Sequence, residues 1–105
     1  MAAHILSIDA THPQPHHISR AVALLEADGV IAYPTDTYYG IGCDIFSKKA
    51  IERVYQLKGR DRRKPLSFVC ADLADITKYA KVSNFGYRVL RKLTPGPYTF
   101  VLEAT

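Results

Sequence analysis

Glycine and proline cut this 105-residue chain into short stretches that alternate in hydrophobic period, and that punctuation constrains the fold more than any other feature. His4–Ile8 reads as a short strand, and the turn Thr11–Pro15 releases the chain into a helix. Apolar Ile18, Ala21, Val22, Leu24 and Leu25 recur at helical spacing, which predicts a helix over 18–27. Asp28-Gly29 stops it, with the glycine expected in the left-handed conformation of a helix C-terminus. Val30–Tyr33 is an apolar run between breakers and reads as a buried strand. Pro34 has no ladder donor, so 34–37 is expected as a loop leaving that strand. Residues 38–44 read as extended, with a bulge at the glycines. Ser47 suits the N-cap of a helix carrying Ala50, Ile51, Val54, Tyr55 and Leu57. Leu66–Ala71 reads as a buried strand, Asp72–Tyr79 as a short helix, and Val82–Leu93 as a helix with Phe85, Val89, Leu90 and Leu93 on one stripe. Thr94-Pro95-Gly96-Pro97 stops that helix before an alternating strand, Tyr98–Leu102. The resulting order, β-α-β-β-α-β-α-α-β, predicts an α/β (α+β) sheet with covering helices.

The length fits one domain of ~100–150 residues. A composition 48% hydrophobic and 23% charged argues against a disordered or collagen-like chain. No apolar run approaches the ~20 residues of a membrane span, and the N-terminus lacks the pattern of a signal peptide. Two cysteines, Cys43 and Cys70, are too few for a disulfide scaffold and suit a reducing compartment, so a cytoplasmic protein with no membrane association is expected. The last expected strand runs directly into Glu103-Ala104-Thr105, so the chain is expected to be a fragment of a longer domain.

Charge is unevenly spread. Residues 1–52 hold three cations against six anions, and residues 53–105 hold eleven against four. The second half therefore points to an anionic partner: phosphate, nucleotide or nucleic acid.

Three constellations could carry chemistry. In Pro34-Thr35-Asp36-Thr37-Tyr38-Tyr39-Gly40-Ile41-Gly42, two hydroxyls flank a carboxylate just after a strand, a place where α/β sheets bind polar small molecules. The same residues suit a turn whose side chains satisfy its own backbone, and residue types alone favour that reading. From Lys58 to Lys64, five cations fall in seven residues around Gly59. Arginine suits bidentate phosphate contact and lysine acts as a point charge, so the run could hold a triphosphate or a leaving pyrophosphate. Charge alone leaves a small phosphate ligand, nucleic acid and a solvated loop equally open. No Gly-Lys-Ser/Thr precedes a helix, so the run is not a P-loop. Thr94–Thr99 reads as a helix stop and rigid turn, which could also close one wall of a cleft. His12, His16 and His17 lack the accompanying ligands of a zinc site, so no metal site is expected. Cys43 and Cys70 read as small core hydrophobes, and most of the seven tyrosines as packing residues.

In order, three of these pieces resemble the YrdC-like family, which includes the threonylcarbamoyl-AMP synthases and their YciO relatives. They are Asp-Gly-Val-Ile-Ala-Tyr-Pro-Thr-Asp-Thr-Tyr-Tyr-Gly-Ile-Gly-Cys-Asp (28–44), Lys58-Gly59-Arg60 with Lys64-Pro65-Leu66, and Pro95-Gly96-Pro97-Tyr98-Thr99. The resemblance implies a single YrdC-like domain over 1–105, corresponding to the N-terminal half or so of the family's domain. Its fold would be a twisted open sheet with covering helices around a basic cleft. The implied activity joins L-threonine, bicarbonate and ATP, the last with Mg2+, into threonylcarbamoyl-adenylate and releases pyrophosphate. That product feeds threonylcarbamoyladenosine modification of tRNA through a separate transfer partner. The alternative is a nucleotide- or duplex-RNA-binding module of the same fold without synthase activity. By motif, Thr37 is implied at substrate L-threonine, Lys58 and Arg60 at the nucleotide phosphates as the catalytic pair, and Lys64 beside ATP. Val69 stands where some synthases carry histidine, which leans toward the YciO-like subgroup. The Ser-x-Asn-type and arginine-bearing segments of the family's second half have no counterpart here.

Overall fold

The computed structural model describes residues 3–59, 61 and 63–105. It divides into two compact units, Met1–Lys64 and Pro65–Thr105. The first carries helix α1 (Pro15–Glu26), strands β1 (Ile31–Pro34) and β2 (Tyr39–Gly42), and helix α2 (Lys48–Lys58). The second carries α3 (Leu73–Ile76), β3 (Ala80–Lys81), α4 (Asn84–Leu93) and β4 (Glu103–Ala104).

Helix α1 opens on Pro15, whose missing N–H is no loss in a first turn. At its far end Gly29 N–H donates to Leu24 O at 2.8 Å and Asp28 N–H to Leu25 O at 3.2 Å, the paired bonds of a Schellman ending. The left-handed residue is Asp28, with φ 63°, and not the glycine that the sequence led us to expect. Asp visits that conformation more readily than most residues, and here its carboxylate accepts a bond from the Ser47 hydroxyl. Gly29 is needed for a different reason: a Cβ there would lie 2.3 Å from Leu24 Cδ2 and 2.5 Å from Leu24 O.

Strands β1 and β2 form an antiparallel hairpin in continuous register, from Ile31 opposite Gly42 to Pro34 opposite Tyr39. Three expectations fail here. Pro34 is the last residue of β1, at a strand end where a missing donor is tolerated, and the one-to-one register leaves no bulge. Nor is β1 fully buried: Ile31 and Tyr33 are half-buried while Ala32 and Pro34 are exposed, the alternation of a strand covered on one face. The Tyr33 ring occupies the space above both glycines of β2, since a Cβ on Gly40 or Gly42 would come within 2.9 or 3.0 Å of it.

Ser47 caps α2 as its sequence position predicts, accepting from Ala50 N–H at 3.1 Å. Its hydroxyl also donates to Asp28 Oδ1 at 2.7 Å, so one serine joins the end of α1 to the start of α2. Ala50 and Val54 are buried, and Gly59, with φ 59°, ends the helix in the left-handed region. The strand expected over His4–Ile8 does not form, because no neighbouring strand pairs with it among the described residues, and Ile5 is exposed.

In the second unit Asp72 caps α3 through Asp75 N–H (3.0 Å), and Ser83 caps α4 through Gly86 N–H (3.0 Å). Leu90 is buried, but Phe85, expected on the same apolar stripe, is 70% exposed. Strands β3 and β4 pair antiparallel, Ala80 opposite Ala104 and Lys81 opposite Glu103, with Thr105 N–H donating to Tyr79 O at 3.1 Å. The strands expected over Leu66–Ala71 and Tyr98–Leu102 are absent, and Val69 is 85% exposed. Apolar, strand-prone residues form a strand only where a neighbour supplies the ladder, and neither segment finds one among the described residues. The mixed α/β class stands, with the described strands paired in two small antiparallel sheets. No helix among the described residues is long and apolar enough to cross a membrane.

Candidate functional site

The first constellation, 34–42, becomes the hairpin with the turn Thr35–Tyr38 at its tip. Thr35 satisfies that turn. Its N–H donates to Tyr38 O at 3.1 Å, its hydroxyl donates to the same carbonyl, and it accepts from Thr37 N–H at 3.2 Å. The turn-capping role suggested by the residue types thus falls to Thr35 alone. The Thr37 hydroxyl and the Asp36 carboxylate have no partner among the described residues, and both residues are exposed.

The second constellation resolves into a helix end and a turn. Lys58 is the last residue of α2. Its position in the last turn sets a cation at the negative end of the helix dipole. Arg60 lies outside the described residues, as does Arg62. Asp61 accepts from Arg63 N–H at 2.9 Å and from the Arg63 guanidinium at 2.9 Å, and Lys64 N–H donates to Asp61 O at 3.0 Å. The side-chain bond to Arg63, followed by the backbone bond, holds the Asp61 carboxyl below the usual carboxylate range. Tyr55, on α2, donates its hydroxyl to Lys64 O at 3.0 Å.

These residues frame an open hollow of about 380 Å³ lined by Lys58, Gly59, Asp61 and Lys64. That is at the lower end of the ~300–1,000 Å³ of ligand clefts. Neither lysine has an ion-pair partner among the described residues, whereas Arg63 is committed to Asp61. Lys58 and Lys64 are therefore brought together at one hollow. Thr37, on the hairpin turn of the same unit, is not among its lining residues. The sequence did not single out Asp61 or the hydroxyl of Tyr55. The available signal was that Tyr55 precedes Lys58 by three residues on a helix and so shares its face.

Other candidates lose ground. Burial, and then Asp44, pushes the Cys43 thiol up, while burial, Asp75 and Asp72 push up Cys70, so neither carries the thiolate of a nucleophile. His17 Nδ1 sits 2.9 Å from Ser7 O and its ring meets His16 edge-on at 4.2 Å. Thr94-Pro95-Gly96-Pro97 is a turn after α4, with Thr94 Oγ1 donating to Leu90 O at 2.6 Å.

Comparison with known proteins gives this geometry a context. The family model for Sua5, YciO and YrdC proteins, described as telomere recombination, matches residues 23–105. An uncharacterized protein of Haemophilus influenzae is 40% identical over 98 residues, which is 93% of this chain and 47% of that protein. The threonylcarbamoyl-AMP synthase of Mus musculus is 45% identical over 83 residues, 79% of this chain and 29% of the synthase. The crystal structure of Escherichia coli YciO superimposes with a TM-score of 0.82 at 37% identity, covering 90% of this chain and 46% of that one. The chain spans about half the length of the bacterial relatives it matches.

Proposed function

The chain belongs to the Sua5/YciO/YrdC family, and from that premise we propose that it carries part of a site that forms threonylcarbamoyl-adenylate from L-threonine, bicarbonate and ATP. The observation that carries this reading is the hollow where Lys58 and Lys64 have no ion-pair partner among the described residues while Asp61 neutralises their neighbour Arg63. Two unpaired ammonium groups there suit the phosphates of ATP, whose magnesium enters with the nucleotide. In the reaction, a carbamate oxygen of N-carboxylated threonine attacks the α-phosphorus and the bond to pyrophosphate breaks. Lys58 and Lys64, with Arg60, neutralise charge on the leaving pyrophosphate. The Thr37 hydroxyl, released from turn-capping by Thr35, is available to hold the amino acid. The adenylate then serves tRNA modification through a separate transferase, in a cytoplasmic setting that suits two free cysteines.

The test is adenylate formation by the protein, followed as label from bicarbonate retained in an ATP-dependent product. Product should require both L-threonine and bicarbonate. Replacing Lys58 and Lys64 together with Ala should lower turnover by about a hundredfold or more, the loss of two charge-assisted contacts. Near-normal turnover in that double variant would sink the site assignment.

A second reading, binding of duplex RNA without synthesis, draws on the second unit. There Arg88, Arg91 and Lys92 of α4 line a hollow of about 370 Å³. Duplex binding with a steep salt dependence and no response to threonine would favour it.

A further inference from the structure

Lys64 is held at both ends of its backbone. Its N–H donates to Asp61 O at 3.0 Å and its carbonyl accepts from the Tyr55 hydroxyl at 3.0 Å. The first bond lies within the turn and only shapes it. The second reaches nine residues back to α2, a helix anchored by its buried Ala50 and Val54 and by the Ser47 cap. Tyr55 is half-buried and stands three residues before Lys58, so the helix face that carries one lysine also tethers the backbone of the other. Gly59, in the left-handed region between them, adds no side chain to brace the turn.

We propose that Tyr55 is a positioning residue for the phosphate-side lysines: its hydroxyl fixes the Lys64 backbone to α2, so that Lys64 and Lys58 meet an anion in one preset geometry. The inference rests on the functional reading above for the identity of the anion, ATP. A lysine side chain has much rotamer freedom, and fixing its root removes part of the ordering cost that binding must otherwise meet. Tyr55 itself touches no substrate in this account.

The experiment compares the wild-type protein with Tyr55→Phe, which keeps the ring and removes the hydroxyl. ATP affinity is measured by titration at several salt concentrations, alone and combined with Lys64→Ala, and the Lys64 carbonyl carbon shift and amide exchange along α2 are measured without ligand. Tyr55→Phe should weaken ATP binding about three- to tenfold, the worth of one hydrogen bond, with the salt dependence unchanged because no charge is lost. In the Lys64→Ala background the same substitution should cost nothing further. The Lys64 carbonyl carbon should shift by NMR as its bond from Tyr55 is lost, while the amides of α2 keep their exchange protection. Equal losses of affinity in both backgrounds would overturn the proposal, as would an unchanged Lys64 carbonyl shift or loosening of all of α2. If the wild-type protein does not bind ATP, the functional reading falls and the Lys64 carbonyl shift alone decides the tether.

Discussion

In the first unit Ser47 caps α2 and also donates to Asp28 at the end of α1, whereas in the second the Ser83 side chain caps α4 and makes no other bond among the described residues. The consequence shows in burial. Ser47 is itself buried, together with Ala50 and Val54, while in α4 only Leu90 is buried and Phe85 of the same stripe stands exposed. An N-cap is a local device, readable and formed wherever serine precedes a helix by the right interval. Burial is not local, because it needs a second surface. The candidate site lies in the unit where the local devices are linked, and the Tyr55 tether extends that linkage to the basic turn.

Substituting the two serines breaks the comparison most directly. Ser47→Ala removes a cap and a 2.7 Å bond to Asp28, leaving that carboxylate without its partner, and should cost about 2 kcal/mol in urea unfolding. Ser83→Ala removes a cap alone and should cost about 0.5–1 kcal/mol. Equal losses would show that the Asp28 link contributes nothing.

A smaller effect separates the units by acid. Asp61 in the first and Asp75 in the second both have carboxyls held below the ordinary value, Asp61 by Arg63 and Asp75 by Lys78. A depressed carboxyl contributes order that is present above its unfolded pKa of ~3.9 and lost as pH falls through the lower folded value. Below about pH 4, NMR should show the Asp61–Lys64 turn loosening as Asp61 takes up its proton. Protonating Asp75 releases an exposed i,i+3 pair and should leave α3, capped by Asp72, nearly unchanged. A turn at 61–64 that stays ordered through this titration would remove Asp61 from the account.

The helices were legible because their signals lie in adjacent residues: the Thr11–Pro15 turn and Ser47 mark starts, and Asp28-Gly29 and Thr94–Pro97 mark ends, while the caps at Ser83 and Gly59 emerge only in the structure. The strands were legible only where both partners are close in the chain. Val30–Tyr33 found its hairpin partner within ten residues, shifted by one position to include Pro34, while His4–Ile8, Leu66–Ala71 and Tyr98–Leu102 carry the composition of strands without a ladder. At the site, the crowding of cations from Lys58 to Lys64 was legible, but the sequence paired Lys58 with Arg60, which lies outside the described residues, and not with Lys64. The commitment of Arg63 to Asp61, the capping of the turn by Thr35 in place of Thr37, and the Tyr55 bond did not, because each depends on side-chain direction within a turn.

The most direct test of the central claim is an NMR amide titration of the protein with ATP, with and without L-threonine. Saturable shifts at Thr35–Tyr39 and at Lys58, Asp61 and Lys64, strengthened by threonine, are expected if the hairpin turn and the basic turn serve one synthase-type site. Diffuse shifts that fade with salt and ignore threonine, or no shifts at all, would contradict it.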